Sequence, residues 1–164
     1  MRGRHMTSTN TGTVVEFLAA LRDRNYEQAL SFVADDVVWH NVSLPKVRGK
    51  SRLRQAFVMM DKLAIRFDVQ FRNISGDDRA VLTERTDALS LGRLRTEFWV
   101  CGTFEFREGK IAVWRDYFDY ANMSGALLRG VLGVVLPRRE PLSLFASEGI
   151  FQKAADPGRD RARD

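Results

Sequence analysis

Cysteine and histidine are scarce in this chain of 164 residues. Cys101 is the only cysteine, so no intramolecular disulfide can form, nothing requires an oxidising compartment, and a cytoplasmic location is expected. His5 and His40 are the only histidines, and His5 falls in residues 1–6, which we interpret as a tag remnant. His40 then has no second histidine with which to bind a metal, and no metal site is expected.

Long apolar runs are also missing. The longest, from Ala126 to Leu136, contains Arg129 and ends at Pro137, whereas a helix that spans a membrane needs about 20 apolar residues. The N-terminal residues are polar and lack the apolar segment of a secretory signal peptide. We therefore expect neither an integral membrane segment nor export.

A concentrated positive charge is absent as well. The formal net charge is +5, but Arg2 and Arg4 in the expected tag remnant supply two of these charges, and residues 156–164 balance three acidic residues against three arginines. The other basic residues are scattered among acidic ones. Nucleic acid is therefore not an expected partner.

The chain does contain enough apolar residues, 45% of the total, to bury the core of one globular domain. We place this domain at residues 7–137. Residues 138–164 are expected to form a C-terminal extension with a disordered end. Residues 123–137 carry an apolar stripe at helical spacing, and we interpret them as a C-terminal helix that forms a lid over a pocket. A dimer interface or a membrane-surface contact are the alternatives for this segment.

Apolar spacing divides the domain into a helical first part and a β-rich second part. Three helices are predicted from residues at helical spacing: Val14, Phe17, Leu18 and Leu21; Tyr26, Leu30 and Val33; and Leu53, Phe57 and Met60. A strand is predicted at Val37–Val42, followed by a loop from Leu44 to Gly49. Apolar and polar residues alternate in four further segments, which predict an antiparallel meander: 64–75, 80–90, 94–107 and 110–120. Helices packed on the concave face of such a curved sheet make an α+β domain with a pocket between the two layers.

Polar residues on two of these strands form a candidate site. Arg85 and Asp87 share one strand face, and Asp116 lies between Trp114 and Phe118 on a face of the last strand. Two carboxylates and one arginine that face inward are the minimum set for a proton donor and a proton acceptor acting on one substrate. Taken alone, an Arg-x-Asp strand is more often a structural ion pair than a catalytic one.

An amide extends the candidate site. Asn41 shares a strand face with Trp39, while His40 points the other way. The amide can accept a hydrogen from a water molecule and fix its orientation without taking its proton. The candidate set is therefore Trp39, Asn41, Arg85, Asp87 and Asp116.

The order of these motifs resembles the limonene-1,2-epoxide hydrolase family. Three stretches carry the resemblance: Arg85-Thr86-Asp87, the sequence EFWVCGTFE at residues 97–105, and Gly109-Lys110-Ile111 followed by WRDYFD at residues 114–119. The similarity runs from about Val14 to Pro137. It implies the cone-shaped α+β fold shared with nuclear transport factor 2, ketosteroid isomerase and SnoaL-like proteins, and a homodimer. The fold alone would not identify the activity.

The resemblance also implies a role for each matching residue. Asp116 is expected to be the general base that takes a proton from water, Asp87 the general acid that protonates the epoxide oxygen, and Arg85 the residue that holds both. Asn41 is expected to help orient the attacking water. The family opens the ring in one step without a covalent ester, a metal or an organic cofactor. The expected reaction is addition of water to an apolar, limonene-1,2-epoxide-like substrate to give a vicinal diol.

Trp39 departs from the family pattern. A tyrosine usually stands at this position, and its hydroxyl helps to bind the nucleophilic water. An indole N–H can donate a hydrogen bond but cannot accept one. We expect Trp39 either to replace the hydroxyl as a donor or to narrow the pocket.

The chemistry of a carboxylate pair agrees with these roles. An aspartic acid of pKa near 3.9 is protonated in roughly one molecule in a thousand at pH 7, so a general acid needs a raised pKa. Burial and a neighbouring anion can supply the roughly 4 kcal/mol that a rise of about three units requires. The planar guanidinium of Arg85 can bridge both carboxylates, which lysine cannot.

Two other functional classes stay open on the same fold. One is an isomerase or cyclase, in which a carboxylate moves a proton at carbon and no water is held. The other is a module that binds a small molecule without chemistry. The discriminating observation is whether Asp87 and Asp116 both face the cavity within reach of a single trapped water.

Overall fold

A computed structural model describes residues 9–118, in which three helices accompany a six-stranded sheet. The helices are α1 (Thr9–Arg22), α2 (Tyr26–Ser31) and α3 (Lys50–Lys62), and the strands are β1 (Val33–Asn41), β2 (Val47–Arg48), β3 (Ile65–Gly76), β4 (Ala80–Leu91), β5 (Leu94–Arg107) and β6 (Lys110–Phe118). The strand order is β2-β1-β6-β5-β4-β3. β1 and β6 run parallel, and the other neighbouring pairs are antiparallel.

Irregular pairing accompanies the curvature of the sheet. The register shifts at three places: between Val33 and Val38, between Phe71 and Asn73, and between Glu105 and Phe106. An extra residue in one strand bends that strand and increases its local twist. The predicted α+β class, with helices on a curved mixed sheet, is confirmed.

The helices cover one face of the sheet, called here the inner face. α1 buries Val14, Phe17 and Leu18, which recur along one side of the helix. The Phe17 ring meets the rings of Phe104 and Trp114 edge-on, with centroids 6.3 Å and 5.2 Å away. Full burial of such an aromatic side chain contributes about 1.5–3 kcal/mol. Residues that share a strand face with Phe104 or Trp114 therefore point into the core.

A tight hairpin turn joins β5 to β6. Glu108 and Gly109 both have positive φ, 52° and 72°. Two consecutive residues at positive φ are the requirement of a two-residue type I′ hairpin, whose twist matches the flanking strands. The turn sets the pairing of β6 with β5 and hence the position of Asp116 along the sheet.

The start of β1 differs from the prediction. Val33 is predicted on the second helix and the first strand at Val37, whereas Val33 already belongs to β1. The Ile111 N–H donates to the Phe32 carbonyl at 2.9 Å. Pairing with the distant strand β6 therefore ends α2 at Ser31 and places Val33 in β1. The local spacing of residues cannot reveal such a long-range contact.

The predicted loop from Leu44 to Gly49 contains the short strand β2. β2 pairs antiparallel with Val38 and Trp39. Its two residues are too few to produce an alternating pattern, so the sequence gives no sign of it.

Several predictions concern residues outside the described range 9–118. These are the tag remnant at 1–6, the C-terminal lid helix at 123–137 and the extension at 138–164. Within the described range, no helix is long and apolar enough to cross a membrane.

Candidate active site

Arg85 occupies the centre of the candidate site. It is the largest fully buried side chain of the described residues, with no exposed surface. Alternation along β4 turns Arg85 and Asp87 to the inner face, and alternation along β6 does the same for Asp116. Asp87 and Asp116 are 4% and 2% exposed. Because buried charges are costly unless they are paired, this enclosed group depends on its mutual contacts.

The guanidinium contacts the two carboxylates through different nitrogens. Arg85 Nε donates to Asp87 Oδ1 at 2.9 Å and to Oδ2 at 3.2 Å. Arg85 Nη2 lies 2.7 Å from Asp116 Oδ1, but no N–H of that nitrogen is directed at the oxygen. This second contact is an ion pair without an aligned hydrogen bond. Among residues 9–118 Asp116 Oδ1 accepts no aligned hydrogen bond.

The environment separates Asp87 from an ordinary surface carboxyl. Burial raises the pKa of Asp87 to about 6; the nearby Arg85 charge opposes this rise, and the anions Asp116 and Asp68 add to it. Burial alone would lower the pKa of Arg85, but the charges of Asp116 and Asp87 raise it above its ordinary value. Arg85 is therefore permanently charged, while Asp87 can carry a proton near neutral pH.

Asn41 reaches the site through the parallel pairing of β1 and β6. Asn41 and Asp116 are register partners, and the Val42 N–H donates to the Asp116 carbonyl at 2.8 Å. Parallel partners turn their side chains to the same face. Asn41 Oδ1 is buried and accepts no hydrogen bond from the described part of the chain.

Trp39 and Trp114 form a stacked pair beside these polar groups. Their ring centroids are 5.1 Å apart with an interplanar angle of 23°. Both indole nitrogens are buried and donate to no residue in the range 9–118. Trp39 and Asn41 also line a cavity of about 240 Å³. Its remaining walls are apolar: Leu44, Pro45 and Val47.

A larger groove, about 520 Å³, lies elsewhere and contains neither catalytic candidate carboxylate. Its rim carries exposed ion pairs such as Lys50 with Asp35, 2.6 Å apart. Exposed ion pairs of this kind contribute little energy. The mixed charge of this groove therefore gives no preference for a particular kind of substrate. The enclosed carboxylate pair is therefore the better candidate for the active site, although the cavity lined by Trp39 and Asn41 is the smaller of the two.

Two residues near Arg85 were not among the sequence-based candidates. Thr83 Oγ1 accepts a hydrogen bond from Arg85 Nη1 at 3.0 Å. Gly102 lies opposite both Thr83 and Asp116 in the sheet. The signals that could have found them are the i, i+2 spacing of Thr83 and Arg85, and a glycine inside a strand, which marks close approach of another group.

Comparison with known proteins shows which family this chain belongs to. A family model described as the limonene-1,2-epoxide hydrolase catalytic domain matches residues 8–129, most of the chain. The chain belongs to the limonene-1,2-epoxide hydrolase family. Epoxide hydrolase EphG of Mycobacterium tuberculosis is 43% identical over 124 residues, which cover 76% of this chain and 83% of EphG.

Solved structures give the same result. A limonene-1,2-epoxide hydrolase-like epoxide hydrolase from M. tuberculosis matches with a TM-score of 0.74 and 41% identity, covering 78% of this chain and 96% of that one. A SnoaL-like polyketide cyclase from Shewanella putrefaciens matches with a TM-score of 0.66 at 12% identity, covering 76% and 99%. This second likeness shows the fold alone.

The predicted enzyme class is confirmed by this family membership: the chain is an epoxide hydrolase. An epoxide and water are therefore its substrates. The individual roles expected for Trp39, Asn41, Arg85, Asp87 and Asp116 stay predictions, and the site geometry is the ground on which they are argued below.

Proposed function

We propose that this epoxide hydrolase opens an apolar epoxide in one concerted acid/base step and releases a vicinal diol. Water attacks one ring carbon while Asp116 takes its proton, and Asp87 gives a proton to the oxygen of the breaking C–O bond. One proton is gained at Asp116 and one is lost at Asp87, so the pair as a whole keeps its charge. Returning the proton from Asp116 to Asp87 resets the site.

The observation that carries this proposal is the single buried guanidinium in contact with both carboxylates. One arginine between two aspartates makes a singly protonated pair tolerable in an apolar core, since the net charge of the group is then zero. The raised pKa of Asp87, about 6, supports its role as the acid. The unaligned contact at Asp116 Oδ1 supports its role as the base, because that oxygen can accept a hydrogen from water.

The attacking water is proposed to lie between Asp116, Asn41 and Trp39. The carboxylate and the amide oxygen of Asn41 accept its two hydrogens, and the Trp39 indole N–H donates to a lone pair. The second lone pair then points at the epoxide carbon. Both the amide oxygen and the indole nitrogen are buried without partners in the range 9–118, which supports this arrangement.

The apolar wall beside Asn41 supports an apolar substrate. Leu44, Pro45 and Val47 present hydrocarbon to a cavity that also contains Trp39. Burial of apolar substrate surface there contributes about 25 cal/mol per Å². A limonene-1,2-epoxide-like ring suits such a wall better than a charged epoxide would.

The test is diol formation from limonene 1,2-oxide and cyclohexene oxide by wild type, Asp116→Asn and the exposed control Asp36→Asn. We expect turnover by wild type and by the control, and a loss of at least about a thousandfold in Asp116→Asn. Equal rates in wild type and Asp116→Asn would remove Asp116 from the reaction. Circular dichroism establishes that each variant is folded.

A second measurement separates direct water attack from a covalent ester. Enzyme in excess over epoxide is mixed in ¹⁸O-water, so that only a single turnover occurs. Direct attack places ¹⁸O in the diol during this first turnover. An unlabelled diol together with label in an enzyme carboxyl would instead require an ester intermediate.

We further propose that the enzyme is a homodimer in the cytoplasm. The face opposite the helices exposes large side chains, among them Trp99 (40%) and Tyr117 (42%), and such residues are enriched at protein interfaces. The single cysteine supports a reducing compartment. Sedimentation equilibrium tests the first proposal, with a monomer mass contradicting it, and cell fractionation tests the second.

A further inference from the structure

Two carboxylates alone do not fix the orientation of a guanidinium. Arg85 Nε donates a hydrogen bond to Asp87. Arg85 Nη2 contacts Asp116 without an aligned hydrogen bond. The remaining nitrogen, Nη1, donates to Thr83 Oγ1 at 3.0 Å. Thr83 is itself buried, with 4% exposure. Thr83 is therefore a third, neutral anchor of the guanidinium.

The Thr83 hydroxyl is oriented by a second contact. Its hydrogen points to the Gly102 carbonyl, 3.4 Å away, so a lone pair faces Arg85 Nη1. Thr83, Arg85 and Asp87 occupy alternate positions of β4 and share the inner face. The hydroxyl thus limits rotation of the guanidinium about its own axis.

Because Gly102 has no side chain, the Arg85 guanidinium can lie close to the sheet. A Cβ at this position would lie 2.2 Å from Arg85 Nη1, 2.6 Å from Thr83 Oγ1 and 2.9 Å from Asp116 Oδ1. All three distances are far below van der Waals contact, so any side chain would displace the group. The guanidinium therefore rests directly on the backbone of β5, where only glycine leaves room.

We propose that Thr83 and Gly102 are positioning residues for epoxide hydrolysis: together they form a seat that holds Arg85 between Asp87 and Asp116. The inference rests on the proposed function, in which Arg85 must face both carboxylates. The hydroxyl sets the rotation of the guanidinium and the bare backbone sets its height. Neither residue touches the substrate in this scheme.

The seat also determines the proton affinity of Asp87. The charged groups around Asp87 are Arg85, Asp116 and Asp68, and among these Arg85 alone favours the ionised form. A guanidinium that is free to move lies farther from Asp87 on average, so its charge stabilises the ionised carboxylate less. Protonated Asp87 then persists to higher pH.

The test compares Thr83→Val with Thr83→Ser. Valine keeps the shape of threonine but removes the hydroxyl, whereas serine keeps the hydroxyl. For Thr83→Val we expect kcat to fall about tenfold with little change in KM, as loss of a hydrogen bond to a charged group predicts. The alkaline limb of the kcat/KM profile moves to higher pH. Thr83→Ser restores both the rate and the limb.

A purely structural role for Thr83 gives a different result. Lower thermal stability with an unmoved pH limb, or a loss in Thr83→Ser as large as that in Thr83→Val, would overturn the proposal. A ¹³C-NMR titration of the Asp87 carboxyl adds a readout that needs no turnover. The midpoint is expected to rise in Thr83→Val and to return in Thr83→Ser.

Gly102→Ala tests the second half of the seat, and Gly12→Ala is its matched control. A Cβ at Gly12 meets nothing within 4 Å, so the control keeps full activity. Gly102→Ala is expected to lose about a hundredfold in kcat, since a shift of about 1 Å in a catalytic group has effects of that size. A folded Gly102→Ala with wild-type kcat overturns the role of Gly102.

The outcomes for the seat and for the chemistry are separable. Absence of diol with wild type contradicts the proposed function, whatever the variants do. The carboxyl titration then still decides whether Thr83 governs the position of Arg85. If wild type forms diol but no variant changes the rate, the limb or the midpoint, the seat alone is wrong.

Discussion

Asn41 and Asp116 are direct partners across the parallel strands β1 and β6. Their backbones are joined by the hydrogen bond from Val42 N–H to the Asp116 carbonyl, 2.8 Å long. An amide and a carboxylate on adjacent inner-face positions can accept the two hydrogens of one water. The register of these two strands therefore brings together the two side chains that the proposed function assigns to the attacking water.

Asn41→Ala should lower kcat by about ten- to hundredfold, because the water loses one of its orienting partners. The measurement is the steady-state rate of diol formation. Asn73→Ala is the control, since Asn73 is an exposed amide on β3 that donates to Glu84 at 2.6 Å. A rate for Asn41→Ala within twofold of the control would show that Asn41 does not hold the water.

Arg85→Lys should lose at least about a hundredfold in kcat while it retains a positive charge. An ammonium can contact one carboxylate well but cannot reproduce the planar fork that meets both. Arg85→Met should in addition unfold more easily, by about 3–5 kcal/mol, because two buried carboxylates lose their counter-charge. Rates and urea denaturation measure the two effects.

The control for Arg85→Lys is Arg115→Lys. Arg115 pairs with Glu105 at 2.7 Å on the other face of the sheet and is partly exposed. This change should alter both the rate and the stability only slightly. Comparable losses in the two lysine variants would mean that the planar bridge between the carboxylates is unimportant.

The raised pKa of Asp87 predicts how stability depends on pH. The folded pKa is about 6 and the ordinary value is 3.8, so the folded state binds this proton more tightly. This tighter proton binding stabilises the folded state by up to about 3 kcal/mol. The stabilisation is fully present below about pH 4 and is lost as pH rises through about 6. The stability of wild type relative to Asp87→Asn should therefore decline across this window.

Urea unfolding of both proteins between about pH 4 and pH 8 measures this difference. Ionisable groups far from Asp87 titrate equally in wild type and Asp87→Asn, so their contributions cancel in the subtraction. A difference that stays flat, or that grows with pH, would be incompatible with a raised pKa at Asp87.

Trp39 is tested by Trp39→Phe and Trp39→Tyr. Phenylalanine removes the N–H donor and should lower kcat about tenfold, whereas tyrosine restores a donor and should recover much of the rate. Both smaller rings should admit bulkier epoxides. Rates with cyclohexene oxide and limonene 1,2-oxide check both effects. Unchanged rates and substrate range in Trp39→Tyr would count against both the donor and the pocket-narrowing interpretations.

Local alternation predicted much of this molecule. The inward direction of Arg85 and Asp87 follows from their two-residue spacing, since strand geometry alone sets which residues share a face. The turn at Glu108 and Gly109 likewise follows from local preference. Family motifs added the expected roles, which composition could not supply.

Contacts between distant strands could not be predicted in this way. Nothing in the spacing of residues shows that Val33 leaves the second helix to pair beside Ile111. Nor does it show that Gly102 lies under the Arg85 guanidinium. Such contacts depend on strand order and register, which a local pattern does not encode.

The neighbouring position of β1 and β6 also constrains when this site can form. β1 is made early in synthesis, but it flanks β6, the last of the described strands. Closing so long a loop carries an entropic penalty and slows folding. A nascent chain that has not yet produced β6 can already hold Arg85 and Asp87, but it has no partner for Asn41 and no Asp116. Hydrolytic activity should thus emerge as an all-or-none property of the completed domain during translation.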